Sequence, residues 1–334
     1  MLKMKYCFIL NPAAGKGRGA DQVKEDVEAC YKQTDTEVEI YLTKGVGDAT
    51  DYVIRTVDAD PEEEYRFYAC GGDGTLCEVI NGVMRLEHPE KAAVGLIPVG
   101  TGNDFVRNFA IGDNFFNVRA QLEAESLAVD LIRCNDRYAI NMVNIGFDCE
   151  VVAKTAQLKK SPLIPSKLAY IAGLIVTLFR KPGVKAKQSF DGGEEEDKRY
   201  LLNTYASGSY CGGGFYSNPK SSMRDGKLDC ILVNNIGRLK FLSLVGKYKK
   251  GEHLGSEFES VLCNKKFSRV DMRFEKEIFV CVDGELMAAE ELHLSVAPKA
   301  LNFLVPSGSW LLQKEEVAEP AGEQKTDREA VEVS

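Results

Sequence analysis

Cys70-Gly71-Gly72-Asp73-Gly74-Thr75 is the stretch on which the reading of this chain turns. Before it, Tyr65-Arg66-Phe67-Tyr68-Ala69 has the character of a buried strand. After it, Leu76-Cys77-Glu78-Val79-Ile80-Asn81-Gly82-Val83-Met84 carries apolar side chains at helical spacing. A glycine-rich turn with one carboxylate therefore joins a strand end to a helix start. Glycines let a backbone approach a ligand closely. The first turn of a helix offers free N–H groups and a partial positive charge, so such a corner suits phosphate. Asp73 is the discordant member, because a carboxylate repels phosphate unless a metal or a lysine stands between them. Taken alone, the stretch is equally a plain strand-to-helix turn with a capping Thr.

Similar corners recur on either side. Tyr6-Cys7-Phe8-Ile9-Leu10 is a continuous apolar run, suited to a strand buried on both faces. It ends in Asn11-Pro12-Ala13-Ala14-Gly15-Lys16-Gly17-Arg18-Gly19, where Lys16 and Arg18 can reach phosphates or simply face solvent; the glycine spacing is not that of a Walker A loop. A helix pattern follows through Val23, Val27 and Tyr31. Val38, Ile40 and Leu42 alternate as in a half-buried strand that ends at Thr43-Lys44-Gly45, and a helix is expected from about Gly47 to Val57. Ala93-Val94-Gly95-Leu96-Ile97 is another strand, ending in Pro98-Val99-Gly100-Thr101-Gly102-Asn103-Asp104-Phe105. Four alternations of strand, loop and helix predict a doubly wound parallel sheet. Ligands of such sheets bind beyond the carboxyl ends of the strands, where all four loops lie.

The pattern changes after about residue 125. Leu127 to Cys134 and Tyr138 to Ile145 read as strands. From Val184 short strands dominate, punctuated by Gly192-Gly193, Gly212-Gly213-Gly214, Asp225-Gly226 and Asp283-Gly284, with one helix near Leu239 to Tyr248. This predicts an antiparallel β-sandwich. The expected division is residues 1–128 and 129–299, with a last strand near 300–312 returning to the first unit, and a disordered acidic tail over 314–334.

A net charge of −8 gives no bulk attraction to nucleic acid. Ten cysteines without a CxxC pair read as reduced thiols in a cytoplasmic protein. His88, His253 and His293 stand too far apart in sequence to suggest a histidine metal site. No signal peptide is read at the N-terminus. The apolar run Leu168 to Phe179 falls short of the ~20 residues a membrane span needs. Flanked by Lys159, Lys160, Lys167, Arg180, Lys181, Lys185 and Lys187, it reads either as a contact with an anionic membrane surface or as a buried helix with a basic rim.

From about Tyr6 to Pro306 the chain resembles the bacterial diacylglycerol kinase-like lipid kinases, a superfamily that includes sphingosine kinases. Five segments in order carry the resemblance. They are Asn11-Pro12 with Gly15; Gly71-Gly72-Asp73-Gly74-Thr75 through Asn81-Gly82; Pro98-x-Gly-Thr-x-Asn-Asp-Phe to Arg107; Asp225-Gly226-Lys227-Leu228-Asp229; and Asp283-Gly284-Glu285. The resemblance implies a phosphofructokinase/NAD kinase-like α/β domain, a β-rich second domain and a cleft between them. It implies that ATP lies along Asn11, Thr43, the loop from Gly71, Gly72, Asp73, Gly74 and Thr75 to Cys77, and Thr101. Members usually carry Asn where Cys77 stands. It implies a structural Mg²⁺ held by the Asp225 carboxylate and the carbonyls of Leu228 and Cys230, and Glu285 as general base. It implies a carboxylate network of Asp73, Asp104 and Asp130, with Asp283 at the base's turn and Lys16 and Lys167 as cationic partners. The implied reaction moves the γ-phosphoryl group of ATP to a lipid hydroxyl, diacylglycerol giving phosphatidic acid. The enzyme would work from the cytoplasm at the inner membrane face, and the resemblance admits a homodimer.

Three other readings compete. NAD kinase shares the Gly-Gly-Asp-Gly-Thr loop but typically carries an Asn-Glu pair that is missing in position here. A non-catalytic ATP-binding regulator would not need Asp73, Asp225 and Glu285 intact. A Rossmann dehydrogenase needs Gly-x-Gly-x-x-Gly after the first strand, and Gly15, Gly17 and Gly19 do not give that spacing.

Overall fold

A computed structural model describes residues 4–31, 38–110, 114–159, 183–234 and 236–312. Lys167, the run Leu168 to Phe179 and the acidic tail lie outside the described residues.

The alternation in the first half produces β1 (Met4–Leu10), α1 (Arg18–Tyr31), β2 (Val38–Leu42), α2 (Asp48–Ala59), β3 (Glu64–Gly71), α3 (Asp73–Val83) and β4 (Ala92–Pro98). β1 pairs in parallel with β2 and β3, and β3 with β4. Alternate residues of these strands feed two cores. Cys7, Ile9, Phe67 and Ala69 pack under Val53 of α2 and Leu76, Val79 and Ile80 of α3. Phe8, Leu10, Tyr68 and Cys70 pack under Ala20, Val23 and Val27 of α1. Helices on both faces explain why the strands read as continuous apolar runs. The fourth corner departs from expectation. After β4 the chain makes a short 3-10 turn (Phe105–Asn108), the two-residue β5 (Phe109–Ala110) and the five-residue α4 (Val118–Leu122).

The second half runs β6 (Glu125–Cys134), β7 (Arg137–Ala139), β8 (Met142–Gly146), α5 (Phe147–Lys159), β9 (Val184–Phe190), β10 (Glu196–Ala206), β11 (Leu228–Asn234), α6 (Arg238–Lys250), β12 (Leu262–Phe267), β13 (Arg269–Val282), β14 (Glu285–Val305) and β15 (Trp310–Leu311). Strands β8 to β13 pair antiparallel with one another. The single strand expected over Tyr138 to Ile145 is broken in two. The Asp283 carboxylate accepts the N–H groups of Ile140, Asn141 and Met142 at 2.7, 3.0 and 2.8 Å, which leaves those groups unable to join a ladder.

β14 spans 21 residues and joins the halves. Glu285 to Ser295 pairs antiparallel with β13; Asn302 and Phe303 then pair in parallel with β4, so one sheet runs from β12 to β2. The register shifts between Ala297 and Leu301, where Lys299 takes φ +49°. Asp130, on β6, holds this bulge: its carboxylate accepts the N–H of Lys299 and that of Gly226, both at 2.7 Å. Among the described residues no helix is long and apolar enough to cross a membrane.

Candidate active site

The loops after the parallel strands meet at one edge and bond to one another. Asn11 N–H reaches the carbonyl of Cys70 (3.0 Å), Thr43 N–H that of Leu10 (2.9 Å), and Gly100 N–H that of Gly71 (3.0 Å). The Asn11 amide also donates to the Thr75 hydroxyl at 3.1 Å. Two glycines are here for space. A Cβ on Gly100 would lie 2.4 Å from Gly72 Cα, and one on Gly71 would lie 2.2 Å from Thr75 Oγ1. Backbone crossing backbone leaves the first turn of α3 bare, as an anion cradle needs. Thr43 is half-buried and Thr101 exposed on this rim. Lys16 lies in a short 3-10 turn over Ala14–Gly17, and its side chain is outside the described residues. Cys77 is buried and turns its thiol toward the carbonyl of Tyr138 on β7.

Asp73 opens α3 and accepts the N–H groups of Asp104 and Phe105, both at 3.1 Å, so it staples the third corner to the fourth. Burial pushes its carboxyl up and these two bonds pull it down. Asp104 in turn accepts the N–H of Gly213 at 2.8 Å, with Arg107 Nε 3.5 Å from its other oxygen. Glu285 arrives from the distant end of the chain on the tight Asp283-Gly284 turn, whose residues take φ +45° and +90°. It lies against the corner: a Cβ on Gly74 would meet Glu285 Oε1 at 3.4 Å. Arg137 Nη2 holds its other oxygen at 3.1 Å. Asp283 is buried beside it, and burial pushes its carboxyl up to about 7 against the pull of its three N–H donors. Asp73, Asp104 and Asp283 thus line one cleft, and Glu285 stands beside it against Gly74. Asp130 is not part of that lining; its carboxylate is committed to the N–H groups of Gly226 and Lys299.

The residues expected to hold a structural Mg²⁺ do not fit that ion. Lys266 Nζ lies 2.9 Å from Asp225 Oδ2 and supplies the positive charge itself. The other Asp225 oxygen accepts the N–H of Lys227 at 3.0 Å. The Cys230 carbonyl is met by the Asn264 amide at 3.4 Å, and the Leu228 carbonyl, at the end of the ladder between β11 and β12, by the Cys230 thiol at 3.5 Å. Among the described residues no group of three or more His, Cys, Asp or Glu side chains is placed to hold a metal.

Behind the carboxylates lies a cavity of about 200 Å³. Asp73, Asp104 and Asp283 form one part of its wall, and Leu76, Phe147, Val151, Phe241 and Leu244 much of the rest. α5 and α6 supply the apolar wall because Phe147, Val151, Phe241, Leu244 and Tyr248 share one core. Sequence reasoning missed three residues here. Arg137 and Tyr248 carried no local signal. Asp148 did carry one, a carboxylate directly after Phe147 in the largely apolar stretch from Ile140 to Val152.

Comparison with known proteins follows this layout. Residues 5–134 match the diacylglycerol kinase catalytic domain, and residues 141–305 match the YegS C-terminal NAD kinase beta sandwich-like domain. A Staphylococcus aureus (strain N315) protein named as a lipid kinase is 27% identical over 269 residues, 79% of this chain and 85% of the relative. One from Chromohalobacter salexigens, named as YegS-like, is 27% identical over 250 residues, 74% of this chain and 78% of that one. The fold is that of a solved Bacillus anthracis str. Sterne protein described as a diacylglycerol kinase. The TM-score is 0.71 at 23% identity, over 91% of this chain and 95% of that one. The chain belongs to the diacylglycerol kinase-like family of lipid kinases, phosphotransferases with an alcohol acceptor.

Proposed function

We propose that the protein transfers the γ-phosphoryl group of ATP to the hydroxyl of a membrane lipid, with diacylglycerol as acceptor and phosphatidic acid as product. One observation carries this reading: an apolar cavity opens onto the carboxylates beside a glycine corner, so a greasy alcohol and a phosphate can meet. The bare first turn of α3 receives the phosphates, with Thr43 and Thr101 along the rim. Glu285 accepts the proton as the lipid oxygen bonds to the γ-phosphorus and the bond to the ADP oxygen breaks. Arg137 keeps Glu285 aimed at the corner. Asp73, bonded to the backbone at both oxygens, still has lone pairs, and with Asp104 offers hard oxygen donors for the Mg²⁺ that travels with ATP. When bound, that ion neutralises charge that develops on the transferring group.

The lipid is reached by peripheral contact at the inner membrane face. Of the basic residues proposed for it, Lys185 already pairs with Glu275 and Asp197 at 2.7 and 3.5 Å, and Lys187 with Glu195 at 3.7 Å. The contact therefore rests on the remaining lysines and arginines of the segment. The deciding experiment supplies purified protein with labelled ATP and Mg²⁺, a panel of lipids in mixed micelles, and NAD as soluble control. Label in a lipid supports the proposal; label in NAD with none in any lipid overturns it.

A further inference from the structure

One carboxyl group of the cavity wall stands among the apolar residues of α5 and has no part in the proposed chemistry. Asp148 stands in the first turn of α5, within the cavity wall. Protein surrounds it, and the surface it retains opens into the cavity. Its one hydrogen bond among the described residues is long, 3.4 Å from Asn144 Nδ2 on β8. The titratable groups nearest to it are Cys149 on its own helix, Cys211 from the loop after β10, Tyr248 from α6 and Cys281 from β13. None of them is a cation, and the remaining charged groups of the cavity, Asp73, Asp104 and Asp283, are acids.

A largely enclosed carboxylate with no cation beside it among the described residues is costly to keep charged, so the group takes up a proton instead. Burial alone pushes the Asp148 carboxyl up to about 6. An acyl chain filling the cavity would displace the water that remains and push it higher. A carboxyl that keeps its proton is a hydrogen-bond donor. The Tyr248 hydroxyl, buried behind the same wall, faces Ser217 and Thr204 and leaves Asp148 as the group open to a ligand. A donor set among Phe147, Val151, Phe241 and Leu244 calls for an acceptor on the ligand.

We infer that Asp148, in its protonated form, donates a hydrogen bond to an ester carbonyl of the acceptor lipid and so selects acyl esters over ether-linked lipids. The inference rests on the lipid kinase reading and narrows its substrate class. Asp148 is a specificity residue, bound to the ester and not to the hydroxyl that reacts.

The test compares a diacylglycerol with the dialkyl ether glycerol of equal chain length, which keeps the hydroxyl and lacks both carbonyls. KM and kcat are measured for each at pH 5 and pH 8. The wild-type KM for the ester is expected to rise with pH, as the donor proton is lost, while that for the ether stays level. Asp148→Asn retains an N–H donor, so it is expected to keep ester binding and lose the pH dependence. Asp148→Leu is expected to raise KM for the ester roughly two- to tenfold, the worth of one neutral hydrogen bond, and to leave KM for the ether unmoved. Thermal melts of both variants establish that they fold, and Asp148→Asn decides the matter if the leucine variant does not. Equal KM values for ester and ether in the wild type, or an asparagine variant as poor as the leucine one, overturn the role of Asp148 and leave the lipid kinase standing. Phosphorylation of neither lipid overturns both.

Discussion

At the residue scale, the site depends on carboxyl groups whose surroundings give them different work. Glu285 is held by Arg137 and lies against Gly74, where a proton acceptor is needed. Glu285→Gln preserves shape and removes basicity, so turnover is expected to fall by roughly 10²–10⁴-fold while the melting temperature stays near that of the wild type. Radiolabelled phosphate transfer and a thermal melt of the same preparation check this. Asp148 makes a different prediction. Its folded carboxyl, at about 6, lies above the ordinary value of 3.8. The folded state therefore binds the proton more tightly than the unfolded chain. The stability this contributes is full below about pH 4, declines as pH rises through 6, and is gone above that. Asp148→Asn is expected to gain about 1–2 kcal/mol relative to wild type on going from pH 4 to pH 8, read from urea melts at both.

At the scale of elements, one turn is held by a charge drawn from elsewhere in the chain. The turn before β11 is tied to β12 by Lys266 and Asp225, whose side chains are 23% and 16% exposed, a pair sheltered enough to matter. Asp229 lies close enough to feel both charges. Lys266→Met leaves Asp225 and Asp229 without this cation and is expected to cost about 2 kcal/mol and lower Tm. EDTA is expected to leave the wild-type melt unchanged. A wild-type Tm that falls in EDTA would return the divalent ion to this turn and displace the lysine. The corner loops obey a steric rule instead. At Gly100 a methyl group would strike the Gly72 backbone, so Gly100→Ala is expected to abolish transfer, because neither backbone can retreat without opening the cradle.

At the scale of the molecule, β14 decides how the two halves relate. Phe303, near its end, packs with Phe105 and Phe109 at ring distances of 5.0 and 5.5 Å, inside the core of the first half. Its beginning carries Glu285 and pairs with β13. A rigid strand thus sets the base's distance from the glycine corner. Truncation after Val282 removes the partner of both β4 and β6, and the shortened chain is expected to show no cooperative thermal transition by circular dichroism. A cooperative melt from the first half alone would show that the shared strand is dispensable there. What the sequence determined by itself is local: periodicity set the parallel strands and helices, glycine marked the corners, and the Asp283-Gly284 pair announced a hairpin. The tertiary structure alone decided that Glu285 meets Gly74, that Arg137 steadies it, that Asp130 serves a bulge, that Lys266 stands where an ion was expected, and that Asp148 opens into a cavity. The reason is physical. Backbone propensity acts over a few residues, whereas a charge's partner and a side chain's burial depend on which distant segments the sheet brings together.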